Sequence, residues 1–170
     1  HGLLAGDERA ALVGHDWGAI TTNAVAGDPA SPYAKHAALA VPPFSAMSPG
    51  RTTFGPWAGA VLRQPVHSWY IAFNQVPGLA ERRFDRLAAR LWRSWSPGYD
   101  ATEDLAHLRE AVPDREHARA VVSYYRALLG PGVGPALAEP VHPLLVLHGT
   151  DDRCLEPGLA RVADIVRLAV

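Results

Sequence analysis

The sequence has little cysteine, little lysine and no long apolar segment, and the first and last of these shortages each exclude a class of protein. A single cysteine, Cys154, cannot form an intramolecular disulfide, and no cysteine–histidine cluster has the spacing of a zinc site. Lys35 is the only lysine, so arginine supplies almost all of the positive charge. No apolar run approaches the roughly 18 residues of a transmembrane helix, and no signal-peptide pattern opens the sequence. We therefore expect a soluble, cytoplasmic protein.

Charge of either sign is also not in excess, with 16 basic residues, 17 acidic residues and a formal net charge of -1. This balance produces no field strong enough to attract nucleic acid or an anionic membrane, so neither partner is expected. The 170 residues, of which 48% are hydrophobic, are enough for one sizeable core. Nothing in the composition indicates an oligomeric state.

Apolar runs at both ends of the chain predict alternating strands and helices. In chain order they predict a strand at 9–13, a helix at 19–26, a strand at 36–41, a strand at 144–148 and a helix at 159–170. Between them, from about 57 to 130, the periodicity becomes helical and strand signals disappear. A parallel sheet that carries a helical cap between two strands has this arrangement. We predict an α/β core at 1–43, a cap at 44–138 and the core again at 139–170.

The turn at residues 14–18, Gly-His-Asp-Trp-Gly, has the spacing of a nucleophile elbow, a strained strand-to-helix turn that presents one side chain above the sheet. Small residues on both sides let the two backbones approach, and the helix N-terminus favours negative charge at the centre. The carboxylate of Asp16 can attack an sp³ carbon and form an alkyl-enzyme ester, which water must then cleave. The backbone N–H of Trp17 is the natural donor to the oxyanion of that second step.

Two simpler interpretations apply to the same turn. Asp16 can cap the helix that follows an ordinary glycine-bounded turn, which is a common role for aspartate. His15 fits a packed, hydrogen-bonded histidine better than a catalytic base, because it lies beside the nucleophile at the end of a buried strand.

With residues 11–13 before it and 19–20 after it, this turn resembles the Val-Gly-His-Asp-Trp-Gly segment of epoxide hydrolases with the α/β-hydrolase fold and of their haloalkane dehalogenase relatives. The resemblance extends along the whole chain, because members of this group carry a mostly helical cap between two core strands. It implies the α/β-hydrolase fold, with Asp16 as the nucleophile and with neither a cofactor nor a metal.

Two cap segments resemble the epoxide hydrolases in particular. Residues 69–81 resemble the stretch in which a tyrosine precedes Phe-Gln and then Pro-Gly-x-Ala-Glu, and Tyr70 matches that tyrosine. Residues 123–126 resemble the Trp-Tyr-Arg segment, and Tyr125 matches its tyrosine. In the family this pair binds the epoxide oxygen and protonates the departing alkoxide. A halide needs no such donor, so the pair favours an epoxide substrate.

Packing is the alternative role for each tyrosine, with the ring buried and the hydroxyl at a wet edge. Their neighbours Trp69 and Tyr124 are the alternatives if the alignment shifts by one residue. The aromatic residues Trp57, Trp69 and Phe73 in the predicted cap favour a small hydrophobic substrate.

Residues 143–152 resemble the family strand that ends in Gly-x-x-Asp, which implies that Asp152 is the acid that orients a catalytic histidine. The adjacent Asp151 is the alternative acid, and both can belong to an ordinary turn. His148 and these acids together can also be drawn as a metal site, but their spacing is unspecific.

The sequence departs from the family pattern in two places. The family histidine follows the acid by several tens of residues, whereas this chain ends 18 residues after Asp152 and has no histidine after His148. The family His-Gly-x-Pro loop belongs far upstream of the nucleophile, so His1-Gly2 does not match it. We expect a chain cut at both ends and inactive alone, from an epoxide hydrolase. The alternatives are a dehalogenase or other α/β hydrolase, and a catalytically silent fragment or binding protein.

Overall fold

The computed structural model describes residues 10–47, 54–130, 134, 138–149, 152–156 and 159. The strands are β1 (Ala11–His15), β2 (Lys35–Leu39) and β3 (Leu144–Leu147). The helices are α1 (Trp17–Ala26), α2 (Phe54–His67), α3 (Trp69–Asn74), α4 (Leu79–Arg82), α5 (Phe84–Trp95), α6 (Thr102–Ala111) and α7 (Arg115–Ala127), with a 3-10 turn at Phe44–Met47. Among the described residues, no helix is both long and apolar enough to cross a membrane.

The chain divides into two compact units. The first comprises His1–Arg63 and Gly134–Val170, and the second comprises Gln64–Val133. The predicted boundaries between core and cap, after residues 43 and 138, stay a prediction.

The first unit contains a parallel sheet with the strand order β1-β2-β3. Ala11 lies opposite Lys35, and His36 lies opposite Leu144, so neighbouring strands start and end nearly level. α1 connects β1 to β2, as parallel pairing requires a crossover rather than a hairpin. The carboxyl ends of all three strands therefore form one edge of the sheet.

Small side chains allow α1 to pack closely on the sheet. Ala19 and Ala26 in α1 and Ala38 in β2 have no solvent exposure. Asn23, also in α1, is buried and donates a hydrogen bond from Nδ2 to the carbonyl of Val41 at 3.1 Å. This bond fixes the chain where it leaves β2, because a buried amide needs a partner.

The second unit is helical around a core of Tyr70, Leu87 and Leu91. Partly buried hydrophobic side chains pack against this core, and they are Trp69, Ile71, Phe73, Trp95 and Tyr125. Within the region of predicted helical periodicity, the stretch 79–95 is interrupted at Arg83, which separates α4 from α5. The helix predicted over 159–170 lies outside the described residues after Leu159.

Candidate functional site

Asp16 is the single residue between β1 and α1. Its backbone has φ 53° and ψ −115°, a combination that a residue with a Cβ rarely adopts. Its N–H donates to the carbonyl of Leu39 at 3.2 Å, and its own carbonyl accepts from the N–H of Ile20 at 3.1 Å. The neighbouring strand and the first turn of α1 therefore hold the strained residue in place.

The two glycines of this turn have different roles. A Cβ on Gly14 would overlap the backbone of Gly18 and the hydroxyl of Thr22, so no larger residue fits at this position. A Cβ on Gly18 would meet nothing within 4 Å. The expectation that both flanking residues must be small is thus confirmed for Gly14 and wrong for Gly18, since the close approach falls on one side of the turn.

The electrostatic surroundings of Asp16 act in opposing directions. Desolvation by the surrounding protein atoms raises the pKa of its carboxyl, and the negative charge of Asp152 raises the pKa further. A hydrogen bond from the backbone N–H of Trp17 and the nearby His15 lower it. Asp16 stands at the N-cap position of α1, but its side chain makes no capping hydrogen bond. The capping interpretation therefore finds no support.

His15 is exposed, so the expectation of a packed histidine at this position is wrong. The side chains of a strand alternate between its two faces, and Leu12 and Gly14 point to the face that α1 covers. Ala11, Val13 and His15 share the opposite face and are exposed among the described residues.

Asp152 lies in a tight turn after β3. Its Oδ1 accepts from the N–H of Cys154 at 2.8 Å, and its own N–H donates to the carbonyl of Gly149 at 3.3 Å. Its Oδ2 lies 3.8 Å from Nδ1 of His148, and both side chains are largely buried. The alternative acid, Asp151, lies outside the described residues.

Backbone contacts at the carboxyl edge of the sheet connect the turns that carry the two acids. The N–H of Asp16 bonds to Leu39, and the next residue, Ala40, donates to Leu147 at 2.8 Å. The carbonyl of Ala40 in turn pairs with Nδ1 of His148 at 3.1 Å. Ala40 has a positive φ of 70°, which turns the chain at this point. No cluster of at least three His, Cys, Asp or Glu side chains in the described part of the chain could hold a metal ion.

The second unit brings the two predicted tyrosines together. The ring centroids of Tyr70 and Tyr125 lie 5.5 Å apart with the rings nearly perpendicular at 86°. Tyr70 also packs edge-on against Trp95 at 5.0 Å and is only 7% exposed. Of the two adjacent alternatives, Tyr124 is 61% exposed, whereas Trp69 packs against Phe73.

Polar side chains around the tyrosine pair received no role from the sequence. Glu81 and Arg126 form an ion pair with Nη1 and Oε1 2.8 Å apart, and Gln75 donates to the carbonyl of Tyr125 at 2.9 Å. All three residues stand in the two segments that resemble the epoxide hydrolases. The sequence signal that could have indicated a role for Glu81 and Arg126 was the presence of opposite charges in these two segments.

No known family profile matches the sequence. Over 160 residues the chain is 27% identical to the AB hydrolase superfamily protein YfhM of Bacillus subtilis (strain 168), covering 91% of this chain and 54% of that protein. The chain therefore spans about half the length of this relative.

Solved structures give the same comparison at the level of the fold. A provisionally assigned epoxide hydrolase from Klebsiella pneumoniae superposes with a TM-score of 0.68 at 20% identity, covering 96% of this chain and 59% of that one. A haloalkane dehalogenase loop variant from Bradyrhizobium elkanii superposes with a TM-score of 0.59 at 17% identity, covering 96% and 60%. The parallel sheet, its flanking helices and these similarities together establish that the chain has the α/β-hydrolase fold.

Proposed function

We propose that this chain belongs to an epoxide hydrolase that converts a small hydrophobic epoxide into a vicinal diol. The observation that carries the proposal is Asp16 in the strained turn between β1 and α1, where most side chains would be disfavoured. Helix capping does not account for an aspartate there, because the side chain makes no capping hydrogen bond. The names of the related hydrolases support the same class of reaction.

In the first step a carboxylate oxygen of Asp16 forms a bond to an epoxide carbon while the bond from that carbon to the epoxide oxygen breaks. A raised pKa makes the ionised carboxylate a stronger base and nucleophile. The leaving oxygen takes a proton from the phenol of Tyr70 or Tyr125. Two adjacent phenols support this role, since one can donate the proton while the other hydrogen-bonds the same oxygen.

In the second step water cleaves the ester at its carbonyl, which releases the diol and restores the carboxylate of Asp16. The backbone N–H of Trp17 donates to the oxyanion, as its hydrogen bond to the Asp16 carboxyl supports. Asp152 orients the histidine that takes the proton from water. The sequence has no histidine after His148. We therefore propose that the 170 residues alone stop at the ester.

A haloalkane dehalogenase is the second candidate, which the structural similarity to such an enzyme supports. The same carboxylate would then displace a halide. The tyrosine pair favours the epoxide, because a departing halide requires no proton. The single cysteine supports a cytoplasmic location for either enzyme.

The test is the intact mass of the chain after incubation with styrene oxide. We expect one added epoxide mass that is lost on mild ester cleavage, present in wild type and in the exposed control Asp85→Asn, and absent in Asp16→Asn. A parallel incubation with a primary alkyl bromide, followed by bromide determination, tests the dehalogenase.

Each outcome has a defined meaning. An Asp16-dependent adduct with the epoxide and no bromide release supports the proposal, whereas bromide release without an epoxide adduct favours the dehalogenase. If circular dichroism shows a folded chain and neither reagent modifies Asp16, the nucleophile assignment is wrong, and a silent fragment or binding protein becomes the better interpretation.

A further inference from the structure

The ends of α3 and α7 are joined by reciprocal hydrogen bonds directly beside the two tyrosines. The last carbonyls of a helix have no partner within the helix, so they need donors from elsewhere. At the end of α3 the carbonyl of Asn74 accepts from Nε of Arg126 at 3.0 Å. In the last turn of α7 the carbonyl of Tyr125 accepts from Nε2 of Gln75 at 2.9 Å. Each of the two helices, α3 with Tyr70 and α7 with Tyr125, thus has a carbonyl near its end that accepts a hydrogen bond from a side chain at the end of the other helix.

Arg126 is also held from a third helix. Its Nη1 lies 2.8 Å from Oε1 of Glu81 in α4, and the Glu81 side chain is only 8% exposed. This hydrogen bond holds the pKa of Glu81 below its usual range, although burial acts against it. The ion pair with Glu81 thus fixes the position of Arg126, and the same guanidinium also donates to the end of α3. A guanidinium suits this role because its planar set of N–H groups can bond to two partners at once.

A partly buried ion pair of this kind, with the Arg126 side chain 25% exposed, is a costly source of stability alone. Desolvation of both charges offsets much of their attraction, and apolar residues of similar size often replace such pairs without loss. Within the described part of the chain, Oε2 of Glu81 and Nη2 of Arg126 are buried without a hydrogen-bond partner, which adds to that cost. The geometric effect of the pair is specific, because it anchors the guanidinium to α4 while the same guanidinium bonds to the end of α3, the helix that carries Tyr70.

From these contacts we infer that Arg126 and Glu81 are positioning residues for the phenols of Tyr70 and Tyr125. This inference rests on the proposed function for its catalytic meaning, but the placement of the rings can be measured without any reaction. A substitution that removes the two contacts of the Arg126 guanidinium should leave both tyrosines in the chain but shift one ring relative to the other. Displacements of about 1 Å can cost up to about 100-fold in rate.

The kinetic test compares rates of adduct formation with styrene oxide in single and double variants of the full chain. We expect Tyr125→Phe to slow the reaction by about tenfold, because one of the two donors to the leaving oxygen is lost. Removal of both phenols in Tyr70→Phe/Tyr125→Phe should slow it at least about 100-fold, as loss of a general acid does. Arg126→Lys and Glu81→Gln should each slow it by about tenfold. In the Tyr125→Phe background, Arg126→Lys should add no further loss, because its effect acts through the phenol that is already gone.

The spectroscopic test uses the ring-proton chemical shifts of Tyr125, which the nearly perpendicular ring of Tyr70 displaces. Arg126→Lys should move these shifts toward random-coil values. The matched control is Arg109→Lys, which alters the exposed pair between Arg109 and Asp85 in the same unit and should leave them unchanged.

The outcomes separate the two proposals. Equal slowing by Arg126→Lys with and without the Tyr125 phenol would mean a general structural role and would overturn the inference, as would unchanged ring shifts in a folded Arg126→Lys chain. Absence of any adduct, or no effect of removing both phenols in Tyr70→Phe/Tyr125→Phe, would overturn the proposed function instead, while the ring shifts would still decide whether Arg126 positions the pair.

Discussion

Gly14 marks the closest approach between β1 and α1, and it allows a sharp test of the turn at Asp16. Gly14→Ala forces a Cβ into the backbone of Gly18 and the hydroxyl of Thr22, and such overpacking costs about 1–3 kcal/mol or more. Gly18→Ala is the matched control. It has open space and lies in a helix, so we expect an unchanged or higher stability, by up to about 1 kcal/mol.

Urea unfolding followed by tryptophan fluorescence measures both variants. Equal effects of the two alanines would contradict the one-sided packing of the turn, whereas a loss confined to Gly14→Ala would show that the strand and helix approach as described. The same variant should also lower styrene oxide labelling, because Asp16 depends on this approach for its position.

His36 is a second residue that allows a test, because its buried surroundings should make the free energy of unfolding depend on pH. It is 2% exposed in β2, and its Nε2 lies 3.0 Å from the hydroxyl of Ser31. Burial lowers the pKa of His36 from its ordinary 6.5, and the nearby His142 lowers it further, while the neighbouring backbone carbonyl of Pro143 acts the other way. Between the lowered pKa and 6.5 the unfolded chain binds more protons than the folded chain, so the free energy of unfolding falls as pH falls below about 6.5.

The measurement is the free energy of unfolding at about pH 7.5 and about pH 5.5. We expect wild type to lose stability at the lower pH and His36→Gln, which cannot titrate, to lose less. The exposed His107→Gln should retain the wild-type pH dependence. If His36→Gln shows the same loss as wild type, another group carries the pH dependence and the buried neutral state of His36 is wrong.

The sequence singled out the residues that the structure places in the strained turn and in the tyrosine pair, but it did not identify the side chains that hold them in place. Asp16 stands in a strained turn, as expected from a short motif that encodes local geometry. The contact between Tyr70 and Tyr125 joins two helices, and only the resemblance to the epoxide hydrolases paired these residues in advance. The paired Glu81 and Arg126 are 45 positions apart and join different helices. Their contact depends on tertiary packing, which no local pattern records.

At the scale of elements, the N-terminus of α7 depends on one side chain. Oδ1 of Asp114 accepts from the backbone N–H groups of Glu116 at 2.9 Å and His117 at 3.0 Å. The backbone bond from His117 is the main reason that the pKa of Asp114 lies below its usual range. Asp114→Ala should therefore lower the thermal unfolding midpoint and the helix content, since two N–H groups lose their acceptor.

Circular dichroism melts of three variants test the role of Asp114. Asp114→Asn retains an oxygen acceptor and should stay near wild type, and Glu110→Ala removes an exposed charge in α6 as the control. A drop of the same size in Asp114→Asn and Asp114→Ala would show that charge, rather than capping, supports the helix.

The interruption at Arg83 shows why element boundaries were harder to predict than element types. Arginine is a good helix former, so nothing in the sequence marks a stop between α4 and α5. Arg83 nevertheless leaves helical geometry, with φ −111° and ψ 8°. Ala80 in α4 and Leu87 in α5 are both buried on either side of the break. Residues seven positions apart would share one face of a continuous helix as well, so the apolar pattern does not reveal the break.

At the scale of the whole molecule, each of the two units has its own buried core, so each should respond to its own substitutions. Leu91 is 8% exposed in the core of the second unit, and Leu91→Ala should cost that unit about 2–5 kcal/mol. Hydrogen exchange read by mass spectrometry should then show faster exchange in α3, α5 and α7, with β1 and β2 retaining wild-type protection.

Two comparisons make this prediction specific. Leu62→Ala, at a position that is 78% exposed in α2, removes the same atoms without opening a cavity and should leave both units unchanged. Gly14→Ala should give the opposite pattern, with faster exchange in the sheet and unchanged protection around Tyr70. Equal loss of protection across both units in Leu91→Ala would mean that the chain unfolds as one cooperative body. The tyrosine pair and the turn at Asp16 would then share a single stability, and a substitution near either would weaken both.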